Sequence, residues 1–213
     1  DNLLPRINEL SNEGEPFQNI DKKIPLSDSG CITLTANAYL GAWGIKEALD
    51  NGADIVVCPR VTDAAVVIGP AAWKFNWKRN NYDALAGALA AGHIIECGAQ
   101  CTGGNFTDWN KISNFENMGF PIVEVLANGD FSVVKPDNTG GLINRGTVAE
   151  QFLYEIGDPG QYILPDVICD FRLVLIEEID KDKVLVKGAK GFAPTKNYKV
   201  SATFFDGYRS IGF

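Results

Sequence analysis

The chain's one histidine, His93, stands three residues ahead of Glu96 in the run Leu89-Ala-Ala-Gly-His-Ile-Ile-Glu-Cys-Gly-Ala-Gln-Cys-Thr-Gly-Gly-Asn-Phe106. Imidazole and carboxylate are the groups most readily tuned to move protons near neutral pH. Residues three apart on a helix share a face, so the pair can act together. General acid–base catalysis by His93 and Glu96, with Asp63 as a third proton-transfer candidate, is therefore the first expectation. A thiol nucleophile at Cys97 or Cys101 would need a lowered pKa, for which His93 is the available activator; a buried, inert thiol is the simpler reading. Cys-x₃-Cys is not the usual zinc-knuckle spacing, and one histidine leaves no redundancy. Neither metal nor cofactor is expected.

A carbonyl or anionic substrate also needs to be held. Arg60 can grip a carboxylate or phosphate through its planar fork, although a surface ion pair would use the same residue. Asn37 and Thr62 fall at the ends of expected strands, where α/β sheets bind ligands; Asn37 and Asp63 also suit helix caps. Two glycine loops, Thr102-Gly103-Gly104-Asn105 and Thr139-Gly140-Gly141, could bring main-chain N–H groups close to a ligand. The second opens into a helix N-terminus, as anion sites do, but fits neither the Walker loop nor the dinucleotide fingerprint. These groups are expected to converge on one hollow.

The elements that would position them read as follows. Cys31-Ile-Thr-Leu-Thr is β-rich, Ala38 to Leu49 is helical with Gly52 as its stop, and Asp54 to Cys58 is a continuous apolar strand. Strand, helix and strand predict a right-handed βαβ unit. Asp63 to Trp77 is helical but carries Gly69-Pro70, which should break or kink it. Trp73, Phe75 and Trp77 suit core or interface packing. Asp83 caps an apolar helix from Ala84 to about Ile95. Asn128-Gly129 between Phe120–Val125 and Phe131–Lys135 is a hairpin signal. Thr147 and Glu150 form a capping box for a helix that Gly157 stops after Ile156. Val167 to Ile179, Lys183 to Lys187 and Tyr198 to Phe205 are strands. The expected fold is α/β: a mixed sheet with the βαβ unit first and a strand-rich second half, in a three-layer arrangement. The divisions are a lead-in over 1–30, in which Leu4 to Leu10 can form a short helix, an α/β part over 31–118 and a strand-rich part over 119–213.

Composition narrows the partners. A formal charge of −8 with no basic cluster disfavours nucleic acid. No apolar run approaches the roughly 20 residues of a membrane span. Five cysteines, an odd number, do not form a disulfide framework, which favours a reducing compartment: the cytoplasm, or the mitochondrial matrix in a eukaryote.

Arg60-Val-Thr-Asp-Ala-Ala65, Gly92-His-Ile-Ile-Glu-Cys-Gly98, Thr102-Gly-Gly-Asn-Phe106, Gly119-Phe-Pro-Ile122, Lys135-Pro-Asp-Asn-Thr-Gly-Gly141, Glu150-Gln-Phe-Leu-Tyr-Glu-Ile-Gly-Asp-Pro159 and Leu164-Pro-Asp-Val167 occur in this order. Together they resemble the acyclic terpene utilisation protein A family, over most of the chain from Ala36 to Tyr208. The resemblance places the chain in the middle and later part of that domain and implies a fragment of a longer protein. It also implies a role in breaking down branched, terpene-derived acyl-CoA thioesters, by lyase- or hydratase-like chemistry. It carries over no catalytic residue. The expected partners are a small acyl-CoA or carboxylate substrate, further copies of the chain in a homo-oligomer, and the missing part of its own chain. The rival readings are a non-catalytic subunit or self-assembling protein, and a small-molecule binding module.

Overall fold

The structure is a computed structural model that describes residues 3–212. In chain order its elements are α1 (Ile7–Asn12), β1 (Thr33–Ala38), α2 (Trp43–Asp50), α3 (Ala65–Lys74), α4 (Tyr82–Ile95), β2 (Ile122–Val125), β3 (Phe131–Val134), α5 (Arg145–Leu153), β4 (Tyr162–Ile163), β5 (Ile168–Asp170), β6 (Leu175–Asp180), β7 (Lys183–Lys187), β8 (Lys190–Phe192) and β9 (Val200–Phe204), with short 3-10 turns between them. The mixed α/β class is as expected. Two compact units form, Asp1–Leu40 with Asn197–Phe213, and Gly41–Lys196. Their bounds differ from the expected divisions because β1 pairs with β9, near the other end of the chain.

In the first unit β1 and β9 run antiparallel, with Asn37 opposite Ser201. A 3-10 turn at Leu4–Arg6 leads into α1, and the Leu3 amide donates to the Ala36 carbonyl. The short helix expected near the start is therefore present. Asn37 is a strand residue and caps no helix, since α2 begins only at Trp43.

The second unit is built around α4, every residue of which from Leu85 to Ile94 is buried. A helix apolar all round must be covered on every side. One cover is the antiparallel sheet β2-β3-β7-β6, in which Phe131 and Val133 lie opposite Val186 and Val184, all four buried. Each such side chain contributes roughly 1.5–3 kcal/mol on burial. A second cover is the sheet β4-β5-β8. The β2–β3 hairpin turns at Asn128-Gly129 as expected, with Gly129 at φ +92°.

The βαβ unit does not form. Residues Asp54 to Cys58 make no strand, and every pair among the named strands is antiparallel. Val56 and Cys58 pack against the core, but Ile55 and Val57 are 85% and 92% exposed. The run has the composition of a strand buried on both faces and finds a cover for only one.

Smaller differences have local causes. Pro70 lies inside α3 without ending it; its missing N–H falls on the side of Val66 and Pro70 that faces water. Asp83 sits in the first turn of α4 without capping it, because its carboxylate accepts from the Gly191 amide and the Lys190 ammonium. The cap of α5 is Asn144, in a reciprocal box with Thr147, and Glu150 instead accepts from the Thr107 amide. The helix ends at Leu153, before Glu155 at φ +58°, not at Gly157. The expected strand from Val167 to Ile179 is two strands, β5 and β6, separated by a turn at Phe171 to Val174.

Candidate functional site

Small residues on α4 decide what can approach it. At Gly92 a Cβ would stand 2.7 Å from the Ala64 Cα, so the absence of a side chain lets the turn before α3 lie directly on the helix. That turn carries Thr62 and Asp63. Asp63 is exposed and caps nothing: α3 starts after Ala64 and no side chain caps it. One residue further along α4 is His93, only 1% exposed.

The imidazole is held on one side. His93 Nδ1 and Glu96 Oε1 are 2.9 Å apart, the contact their spacing predicts. Nε2, the other ring nitrogen, has no hydrogen-bond partner among the described residues. From α5, Gln151 donates its amide to the His93 carbonyl at 3.4 Å, covering one of the carbonyls a helix end leaves open. Its own Oε1 is buried and unpartnered, as are Thr62 Oγ1 and Gln100 Oε1. From β4, the Tyr162 ring lies tilted against the imidazole, 5.7 Å between centroids, and also meets Phe171 at 5.6 Å.

The electrostatics tie further residues to this place. Burial, and then the charges of Glu96, Asp63 and Glu155, push the Tyr162 phenol up to about 12. The Cys97 thiol is raised by burial first and by Glu96 next, with smaller contributions from Glu155 and Asp63; a hydrogen bond with Gln151 opposes them. The same carboxylates therefore surround both groups. Cys101 is pushed up to about 12 by burial alone. Thiols shifted upward are protonated at neutral pH, which favours the inert reading of Cys97 and Cys101 over nucleophilic catalysis. Among the described residues no group of three His, Cys, Asp or Glu is arranged to hold a metal.

Of the residues singled out from the sequence, Asp63, His93 and Glu96 thus come together, with Thr62 on the same turn as Asp63. Arg60 is exposed on a bend two residues earlier. Asn37 belongs to the other unit. The two glycine loops meet each other: Leu142 N–H donates to the Thr102 carbonyl, and a Cβ on Gly141 would stand 2.8 Å from that oxygen. Five of their amides are already used. Those of Gly103 and Asn105 donate to Gln100, that of Gly104 to Ala99, that of Gly140 to Asn117 and that of Gly141 to Ser113. Thr102 and Thr139 spend their hydroxyls on Gly119 and Pro136 carbonyls.

Gln151, Glu155 and Tyr162 were not singled out from the sequence. All three fall in or just after the motif Glu150-Gln-Phe-Leu-Tyr-Glu-Ile-Gly-Asp-Pro159, which was the available signal. Glu155 holds a left-handed backbone that non-glycine residues seldom adopt, a cost of about 1–3 kcal/mol that often marks a working site. Two surface hollows, of about 230 and 490 Å³, lie near the Asn128-Gly129 turn and share Asp83 and Asn128. Neither is lined by His93, Glu96 or Tyr162. Asp83 is already committed to Lys190 and Gly191.

A family model described as acyclic terpene utilisation family protein AtuA matches residues 1–212. No curated protein and no solved structure matches the chain.

Proposed function

The chain belongs to the acyclic terpene utilisation family, and from that premise we propose that it is an enzyme of branched, terpene-derived acyl-CoA breakdown, performing lyase- or hydratase-like acid–base chemistry on a carbonyl or thioester. One observation carries this reading: a buried imidazole fixed at Nδ1 by Glu96 and left without a partner at Nε2. A carboxylate on one ring nitrogen orients the ring and stabilises the cation formed when the other takes a proton. Burial keeps competing water away from that proton.

In this reading His93 is the base and, with its proton gained, the acid. Glu96 positions it, and Asp63 on the neighbouring turn is a second proton acceptor at the rim. Arg60, exposed on the bend before that turn, binds an anionic part of the substrate. Entry requires the rim to open. The stretch from Glu155 to Gln161, mostly exposed, is the part with least to hold it. The test is turnover of a panel of saturated, unsaturated and hydroxylated branched acyl-CoA thioesters by the purified protein, with products followed by mass spectrometry. His93→Gln should lower kcat by about 10²–10⁴-fold, the usual contribution of a positioned acid–base group. No turnover of any thioester by the wild type would refute the reading.

A second reading has its own observation. Ile55 and Val57 are nearly fully exposed on an extended run whose other side packs on the core. Such a surface suits association with further chains, as a self-assembling or non-catalytic subunit would need. Sedimentation of the wild type against Ile55→Lys/Val57→Lys tests it. A monomer in both cases would reject it.

A further inference from the structure

If His93 moves protons beside a carbonyl, negative charge develops on that carbonyl's oxygen and a donor must meet it. The obvious sources are spent: the amides of Gly103, Gly104, Asn105, Gly140 and Gly141 donate inside the protein. Around the imidazole, Asp63, Glu96 and Glu155 only accept once ionised. The Gln151 amide donates to the His93 carbonyl. Tyr162 remains. Its ring lies against the imidazole, 5.7 Å between centroids, and its hydroxyl donates to no group among the described residues.

We propose that the Tyr162 hydroxyl is the donor that holds the substrate's carbonyl oxygen, so that the reacting end of the substrate is a neutral carbonyl, a thioester or ketone, and not a free carboxylate. The proposal rests on the acid–base reading of His93. Three features support it. Burial and the nearby carboxylates keep the phenol protonated up to about pH 12, so it is a donor at any working pH. The same carboxylates repel a substrate that enters already charged, whereas the enolate forms only against the phenol O–H that holds it. The rings of His93 and Phe171, at 5.7 and 5.6 Å between centroids, restrict how the phenol can turn.

The step balances without an oxidant or a cofactor. For hydration, a water O–H bond breaks and its proton passes to His93 Nε2, while the oxygen bonds to the carbon β to the carbonyl. The electron pair of the carbon–carbon double bond shifts through to the carbonyl oxygen, where the Tyr162 O–H holds the enolate. The enolate then collapses, and the carbon α to the carbonyl takes the proton from Nε2. The net change is addition of one water, and the reverse is its elimination.

The experiment uses α,β-unsaturated acyl-CoA thioesters labelled with ¹³C at the carbonyl, the wild type and Tyr162→Phe. Phenylalanine keeps the ring that packs on His93 and Phe171, and a melting curve confirms that the variant is folded. Expected are a kcat lowered about 10²-fold or more with KM within about 3-fold, and a carbonyl infrared band shifted to lower frequency on the wild type alone. Turnover by the wild type with Tyr162→Phe within about 3-fold overturns the proposal and leaves the acid–base reading standing. A band shift lost in the variant, without turnover by either protein, supports the carbonyl site and refutes the acid–base reading. Neither turnover nor a band shift overturns both. Free acids competing as well as their thioesters overturn the stated specificity.

Discussion

Replacing Gly92 with alanine tests the contact that brings Asp63 to His93. The added Cβ would stand 2.7 Å from the Ala64 Cα, 2.9 Å from its Cβ and 3.2 Å from its carbonyl oxygen. Carbon atoms prefer about 3.5–4.0 Å, so helix and turn must part by roughly 0.8 Å or more. Overpacking of this kind costs about 1–3 kcal/mol. Alanine returns up to about 1 kcal/mol of helix propensity, leaving a net loss of about 1 kcal/mol. For a chain of this length that lowers Tm by about 2–4 °C. Gly44 is the control, because it is also helical and a Cβ there meets nothing within 4 Å. Gly44→Ala should hold or raise Tm, by about 1–2 °C for a gain near 0.5 kcal/mol. Thermal unfolding followed by circular dichroism separates the two, and turnover by folded Gly92→Ala should fall further than its stability does, because the Asp63 turn has moved. A Gly92→Ala protein that melts at or above Gly44→Ala would refute the close-packing argument.

Other substitutions follow from the same geometry. Asp166 is buried, its carboxyl raised by that burial, and both its oxygens accept from the Ala42 amide. A raised folded pKa gives stability that is complete below the unfolded value and lost as pH rises through the folded one. Asp166→Asn should therefore equal or exceed the wild type in Tm at pH 7, while Asp166→Ala, which orphans the amide, loses about 1–3 kcal/mol. Cys101 and Tyr162, both pushed up to about 12 from 9.0 and 10.0, act in the same sense, so Tm should drop as pH rises from about 9 to 12, and less steeply in Cys101→Ala. Asn144→Ala removes the cap of α5 and should cost about 1 kcal/mol in denaturant unfolding. Gln151→Leu removes an orphaned buried oxygen at the expense of one long hydrogen bond, so Tm should hold or rise while kcat falls at least about 10-fold.

What was legible in the sequence was local. The His93–Glu96 contact follows from spacing on one helix, and the hairpin follows from the Asn128-Gly129 turn that only a few residue types can make. The cap of α5 shows where local signals divide. Asn144-x-x-Thr147 and Thr147-x-x-Glu150 are both capping boxes, and the choice is made by Glu150 reaching the distant Thr107 amide. Asp54 to Cys58 failed for a related reason: its composition asks for cover on two faces, and composition cannot say whether the chain supplies both. The glycine loops misled because a glycine that permits approach does not say what approaches. Here it is the other loop and its neighbouring turns, and the amides are consumed. Beyond lying in or just after one motif, Tyr162 and Glu155 gave no signal, because one depends on how its ring packs against His93 and the other on a backbone angle.

The polar atoms around the end of α4 set the cost of this arrangement. Thr62 Oγ1, His93 Nε2, Gln100 Oε1 and Gln151 Oε1 are all buried without a partner, and each such atom costs about 1–3 kcal/mol. They come from four separate stretches: the turn before α3, α4 itself, the 3-10 turn at Gly98–Gln100, and α5. Apolar side chains of similar size at 62, 100 and 151 would pack at less cost, so stability does not account for the choice of residue. Asp63, Glu96 and Glu155 add like charges around one spot, and Glu155 adds a strained backbone. Unmet hydrogen-bonding atoms, like charges acting on the same two side chains and a left-handed residue each weaken the fold, which is the pattern left where residues are kept for function and not for stability.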